Sequence, residues 1–324
     1  MRRHGAAAAL VACLIALGGL AGGCGTDASG AGRAAAPVDA AGGVQARPPL
    51  QVANGPVAGA TATRPLAVRL DRPDRVRIAF HKPPRSGLMV DLDTGEVLWR
   101  RAPTRVLPIA SLTKMMTALV VTDRLTPRAK ARITALALNY RGSGVGLLPK
   151  GKRVRVETLL YGLLLPSGND AARALAQRTG GTLRGFVGLM NARAAQMNLG
   201  CTQFSSPDGF VNRGNHSCAV DLAAVARALL DRPRLARIVR TRQIARRFPT
   251  KGGKLFLTNH NPLLRTGYPG TLGVKTGYTA AAGRCLVAAA RRGGRRLAVV
   301  LLDSPDPGTQ ARKLLDRGFG RRAG

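Results

Sequence analysis

Acidic residues are scarce: 16 Asp and Glu stand against 51 Lys and Arg in 324 residues, and only two of the acids, Glu96 and Glu157, are glutamates. The formal charge of +35 directs attention to anionic partners. Aromatic residues make up only 4%, with a single Trp. No basic strand is interleaved with aromatics and no zinc-finger spacing accompanies the charge, so no nucleic-acid partner is expected. The cations, nine Lys and 42 Arg, are scattered through an Ala-rich and Gly-rich chain rather than gathered into one run. The four His lack metal-ligand spacing, and neither a metal nor a cofactor is expected. At 324 residues the chain is too long for a disulfide-built mini-protein. With 45% hydrophobic residues, full-length disorder is excluded and the core must be built from Ala, Val and Leu.

The chain ends differ in composition. Arg2 and Arg3 precede an uncharged run from Gly5 to Gly23 that has the layout of an export signal. Ala21, Gly22 and Gly23 lead into Cys24, which resembles a bacterial lipoprotein cleavage box. Residues 1–24 are therefore expected to be a signal peptide, with Cys24 a candidate site of lipid anchoring to the outer face of the cytoplasmic membrane and simple secretion the alternative. Residues 25–75 show neither helical nor alternating period and are expected to be a linker. In an oxidising compartment Cys201 and Cys218 can pair, closing a loop worth about 3 kcal/mol. Cys285, in an apolar run, reads as a buried small hydrophobe.

From residue 76 onward the pattern is ordered. Leu88 to Asp91 and Glu96 to Arg100 flank Asp93-Thr94-Gly95 as a β-hairpin. Pro108 and Ser111 start a helix carried by Leu112, Met115, Met116, Leu119 and Val120. Further helices are expected at Val156 to Leu165, Ala171 to Gln177, Leu183 to Met197 and Val220 to Leu230. Thr271 to Thr279, Arg284 to Ala290 and Arg296 to Leu302 read as strands, the last two joined at Gly293-Gly294, and a helix follows around Gln310 to Arg317. Strands at both ends with helices between imply an α/β (α+β) chain: an antiparallel sheet lobe made by both ends, an inserted all-helical lobe, and a cleft at the seam.

Three short motifs carry chemistry. Ser111-Leu112-Thr113-Lys114 places a hydroxyl and an amine on one helical face, where the amine can take the proton of the hydroxyl if its charged form is destabilised. With nine Ser and nine Lys, about 0.25 such pairs arise by chance, so the motif alone decides nothing. Ser167-Gly168-Asn169 taken singly reads as a turn, and Lys275-Thr276-Gly277 as a solvated lysine beside a glycine bend. Together, in this order, they match the signature set of penicillin-binding proteins and class A β-lactamases.

With the flanking stretches Pro108 to Thr117, Leu164 to Ala171 and Gly273 to Thr279, the chain resembles the serine-type D-alanyl-D-alanine carboxypeptidases, low-molecular-mass penicillin-binding proteins of peptidase family S11. The resemblance covers roughly residues 76 to 322 and makes 76–324 the catalytic domain. It implies a penicillin-recognising serine transferase fold, β-lactamase-like, and peptidoglycan stem peptides as substrate. On this resemblance Ser111 is the nucleophile, Lys114 its base, Ser167 the proton donor to the leaving D-alanine, and Asn169 a group that holds substrate and orders Lys114. Lys275, Thr276, Gly277 and Tyr278 form the substrate side, the first two meeting the terminal carboxylate. The charge of Lys275 is expected to disfavour the charged form of Lys114, and the amides of Ser111 and Tyr278 to form an oxyanion hole. β-Lactams are expected to acylate Ser111. Two features depart from the family pattern: Gly142 to Gly146 is looser, and no separate β-rich domain follows Phe319.

Three rivals remain at this level. An endopeptidase of the same family shares all three motifs. A class A β-lactamase needs a glutamate after the Ser-x-Asn element, whereas Glu96 and Glu157 both precede Ser167, leaving Asp208 or Asp221 as substitutes. A non-catalytic wall-binding lipoprotein would need none of the three motifs intact.

Overall fold

The computed structural model describes residues 66–320 except 212, 250 and 251. These fall in one structural unit. The expected signal peptide and Cys24 lie outside the described residues, as does most of the expected linker. Within the described residues no helix is long and apolar enough to cross a membrane.

The chain opens with the hairpin β1 (Ser86–Asp91) and β2 (Val97–Arg101), then β3 (Leu107–Pro108), a 3-10 turn (Ala110–Thr113) and α1 (Lys114–Arg124). The inserted part continues through β4 (Lys130–Arg132), α2 (Ala135–Leu138), β5 (Arg153–Arg155), α3 (Val156–Leu164), α4 (Asn169–Gly180) and α5 (Leu183–Gln196). It closes with β6 (His216–Ser217), α6 (Ala219–Leu230), α7 (Pro233–Arg240), β7 (Gln243–Arg247), β8 (Lys254–Thr258) and α8 (Pro262–Arg265). The last elements are β9 (Thr271–Thr279), β10 (Gly283–Arg292), β11 (Arg295–Leu302) and α9 (Pro307–Gly320). Beyond the expected helices, the inserted part thus carries α2, α7 and α8 and two small strand pairs, β4 with β5 across α2 and the hairpin of β7 with β8.

β2, β1, β11, β10 and β9 lie side by side in that order, every pair antiparallel. Alternation along each strand sorts the apolar side chains onto two faces. Leu88, Val90, Val287, Ala289, Val300 and Leu302 join the core shared with the inserted helices, while Met89, Leu286, Ala288, Val299 and Leu301 pack with Leu314 and Leu315 of α9. A sheet covered on both faces needs little polar sequence in its central strands, and β1 is buried along its whole length. α1 is buried on all sides from Lys114 to Val121, the signature of a central helix rather than a surface one.

Residues 66–75 fall inside the stretch expected to be a linker, yet they lie against the sheet edge. Arg69 N donates to Gly95 O at 3.0 Å, and Arg100 Nε pairs with Asp74 at 3.2 Å. Leu66 is buried, and Val68 and Leu70 pack on the same core. Their spacing of two is strand alternation, and the charged neighbours hide it in a window as short as five residues. Cys201 and Cys218 are bonded to each other, with Cα atoms 5.6 Å apart. Asp221 stands beside them, but its Oδ2 accepts from Cys201 N and Thr202 Oγ1, and two mutually bonded sulfurs are not thiolate ligands. The bridge fixes the start of α6 next to β6, whose pairing with β3 leads directly into the turn that carries Ser111.

Candidate active site

Ser111 sits in the 3-10 turn, half-buried, and Lys114 begins α1 one turn later. The residue before the serine, Ala110, has φ +46°. A left-handed alanine costs of order 1–3 kcal/mol and persists only where its surroundings hold it. Here they do: β9 passes so close that a Cβ on Gly277 would lie 3.0 Å from Ile109 O and 3.2 Å from Ser111 N. Glycine is what lets the strand and the turn meet.

Lys114 is fully buried, and its Nζ donates to three oxygens at 2.7 Å: Ser111 Oγ, Asn169 Oδ1 and Asp208 O. Burial lowers its pKa from 10.5 to about 8, against the opposing pull of Asp208 and Asp170. Asn169 is the first residue of α4. Its Nδ2 donates to Arg141 O and its backbone N to Ser143 O at 2.8 Å. Asp170 then receives Val145 N at 2.9 Å and Gly146 N at 3.0 Å. The loose stretch Gly142 to Gly146 is thereby tied to the helix that orders the lysine.

Ser167 occupies the turn between α3 and α4 with φ +69°, and its buried Oγ has no hydrogen-bond partner among the described residues. A buried hydroxyl left unpaired costs about 1–3 kcal/mol, which a reacting group placed there would recover. Lys275, on β9, is also buried, and its Nζ donates to Thr276 O at 2.9 Å. Burial first, then the charge of Lys114, pushes its pKa well below 10.5. The repulsion is mutual, since each of the two buried ammonium groups disfavours the charge of the other. Their surroundings differ: Asp208 and Asp170 support a charge on Lys114, whereas no carboxylate is among the groups shifting Lys275. Thr276 is half-buried, Gly277 is packed against the turn, and Tyr278 is exposed at the end of the strand.

The three motifs therefore meet where edge strand β9 touches the start of α1. The sequence does not single out Asp170 or Gly209, and it offers Asp208 only as a substitute for the glutamate of a β-lactamase. A Cβ on Gly209, whose φ is +74°, would strike Ala110 O and crowd Thr113 Oγ1. An Asp-Gly pair after Ser-Ser-Pro reads as an ordinary turn, and its approach to Lys114 arises 94 residues away in sequence. Neither glutamate is available to such a site: Glu157 is bound by Arg234 at 2.7 Å, and Glu96, in the first hairpin, by Arg75 at 2.7 Å.

A family model for D-alanyl-D-alanine carboxypeptidases matches residues 81–306. The chain belongs to that family. Among its curated relatives, DacB2 of Mycobacterium tuberculosis is 37% identical over 245 residues, covering 73% of this chain and 82% of that protein. DacF of Bacillus subtilis is 34% identical over 245 residues, and the aligned part spans 73% of this chain and 62% of the length of DacF. Both are named D-alanyl-D-alanine carboxypeptidases. The crystal structure of the Streptomyces K15 DD-transpeptidase superposes with a TM-score of 0.71 at 33% identity, covering 76% of this chain and all of that one. As a member of this family of serine carboxypeptidases, the chain carries the mixed sheet-and-helix fold seen in that neighbour.

Proposed function

We propose that the protein is a serine D-alanyl-D-alanine carboxypeptidase that removes the terminal D-alanine from peptidoglycan stem pentapeptides. The observation that carries this reading is the buried Lys114 amine held 2.7 Å from the hydroxyl of Ser111. With a pKa of about 8, roughly a tenth of Lys114 is neutral near pH 7 and able to accept a proton.

The steps follow from the atoms present. Ser111 Oγ attacks the carbonyl carbon between the two D-alanines while Lys114 takes its proton. Negative charge on the carbonyl oxygen is met by the backbone amides of Ser111 and Tyr278. The C–N bond breaks, Ser167 relays a proton to the departing amine, and water then hydrolyses the ester on Ser111. Thr276 and Lys275 receive the terminal carboxylate, whose negative charge favours the charged form of Lys275. That charge in turn disfavours the charged form of Lys114, so binding primes the base. Asn169 holds the substrate backbone and the base together. A β-lactam acylates Ser111 by the same attack, but its leaving group stays tethered, so the adduct persists.

The location fits an extracytoplasmic enzyme. The bonded Cys201 and Cys218 belong to an oxidising compartment, and residues 1–24 supply the export signal, with Cys24 as the point of lipid attachment. Residues 66–324 form the catalytic domain on this reading, and the tether is shortened to about 25–65.

The test is release of D-alanine from a synthetic pentapeptide, together with covalent labelling by fluorescent penicillin. Wild type is expected to do both and Ser111→Ala neither. Equal labelling of the two proteins removes Ser111 as nucleophile. A cross-linked dimer cut faster than the pentapeptide reassigns the activity to endopeptidase.

A further inference from the structure

The two small strand pairs of the inserted part, β4 with β5 and β7 with β8, share a feature that costs stability. Lys130 stands opposite Arg155 and Arg132 opposite Arg153 on β4 and β5, and Arg247 stands opposite Lys254 on β7 and β8. All six are exposed, three like-charged pairs facing each other directly, an arrangement that destabilises a hairpin. The main sheet offers an internal control. There Arg291 faces Arg296 and Arg292 faces Arg295, but carboxylates answer them: Asp93 and Asp231 bind Arg296, Asp91 binds Arg295, and Asp316 binds Arg292. At the two small strand pairs the fold supplies no such answer. Among the described residues none of the six cations forms an ion pair.

These strand pairs wall a groove of about 500 Å³, with Lys130, Arg153 and Arg155 on one side and Arg247 and Lys254 on the other. Arg155 also borders a hollow of about 360 Å³ that adds Arg128, Arg237 and Arg246. Glu157, the one acid on these walls, is already bound by Arg234. The result is a continuous cationic track at the start of α3. The turn holding Ser167 follows the other end of that helix, roughly 12 Å along its axis.

We propose that this track is a binding site for a linear polyanion carrying phosphodiester groups, which supplies from outside the counter-charge that the strand pairs lack. Six of its eight cations are Arg, whose planar forks match phosphate oxygens bidentately. Walls on both sides suit a chain lying in the groove better than a flat anionic membrane. The site does not depend on the catalytic reading, since it shares no residue with the catalytic centre.

The full-length protein should be titrated with poly(glycerol phosphate), with polyglutamate of matched charge, and with phosphatidylcholine vesicles containing phosphatidylglycerol. Binding to poly(glycerol phosphate) is expected to be the tightest of the three. The variant Arg153→Gln/Arg155→Gln/Arg247→Gln/Lys254→Gln should lose roughly tenfold or more in affinity and about 0.7 per lost contact in the slope of log K against log salt. A control with as many exposed cations removed elsewhere, Arg184→Gln/Arg312→Gln/Lys313→Gln/Arg317→Gln, should lose little. Arg247→Glu, which sets opposite charges across β7 and β8, should raise the melting temperature while lowering polymer affinity, with D-alanine release from a small peptide unchanged. Absence of polymer binding, equal losses in the two quadruple variants, or tighter binding to polyglutamate or to the vesicles overturns the proposal.

Discussion

Lys114 and Lys275 are both buried amines in one site, yet their surroundings differ. Lys114 gives its hydrogens to three oxygens and has Asp170 and Asp208 to support its charge. Lys275 donates to its neighbour's carbonyl, and the charge acting on it is that of Lys114. Burial without a counter-charge strongly disfavours an ammonium, whereas one ringed by acceptors and nearby acids keeps its proton until mildly alkaline pH. The contrast teaches a division of labour: the first amine is equipped for proton transfer, and the second is left incomplete until an anion arrives.

The sharpest way to break this comparison is to remove each amine. Lys114→Ala should lower the acylation rate by about 10³-fold with the fold retained, measured by stopped-flow labelling with a fluorescent penicillin. Near-normal rates would dismiss Lys114 as the base. The same burial should appear in stability. Because the folded pKa of about 8 lies below the unfolded value of 10.5, the unfolded chain binds more protons between these values, and stability rises with pH across that window. Lys114→Met should therefore be more stable than wild type near pH 7, by up to about 3 kcal/mol, and show a flatter pH dependence in urea melts.

Lys275→Ala should cost roughly a hundredfold in kcat/KM for a pentapeptide ending in a carboxylate. For the matching C-terminal amide it should cost almost nothing, and equal losses on both would separate Lys275 from the carboxylate. The smallest effect belongs to the titration itself. Acylation by a neutral ester should rise about tenfold from pH 7 to pH 9 as Lys114 loses its proton, then level off. A flat profile would place the base elsewhere.

How far the sequence reaches is visible in particular residues. The hairpin at Asp93-Thr94-Gly95 and the turn at Gly293-Gly294 are written in local turn chemistry, and both are present in the structure. The helices from Val156 to Leu230 follow apolar periodicity, and their observed bounds differ from the expected ones by up to three residues. α7 escaped notice because its Leu235, Ile238 and Val239 are diluted by Arg, although Pro233 at its first turn is a start signal. β4 and β5 escaped because Lys-Ala-Arg and Arg-Val-Arg offer one apolar position each, too few to register.

Among the candidate site residues, Ser111 and Lys114 are the pair whose contact local geometry could foresee, since three residues along a helix is one turn. Asn169 reaches Lys114 across 55 positions and Asp208 across 94, distances over which spacing carries no information. The sheet lobe, the inserted helices and the order of the three motifs were determined by the sequence itself, because turn residues and hydrophobic period act within a few residues. Which side chains surround each lysine, and therefore how strongly each charge is supported, was decided only by the tertiary structure. Desolvation and Coulomb interactions depend on distance through space, and packing alone sets that distance.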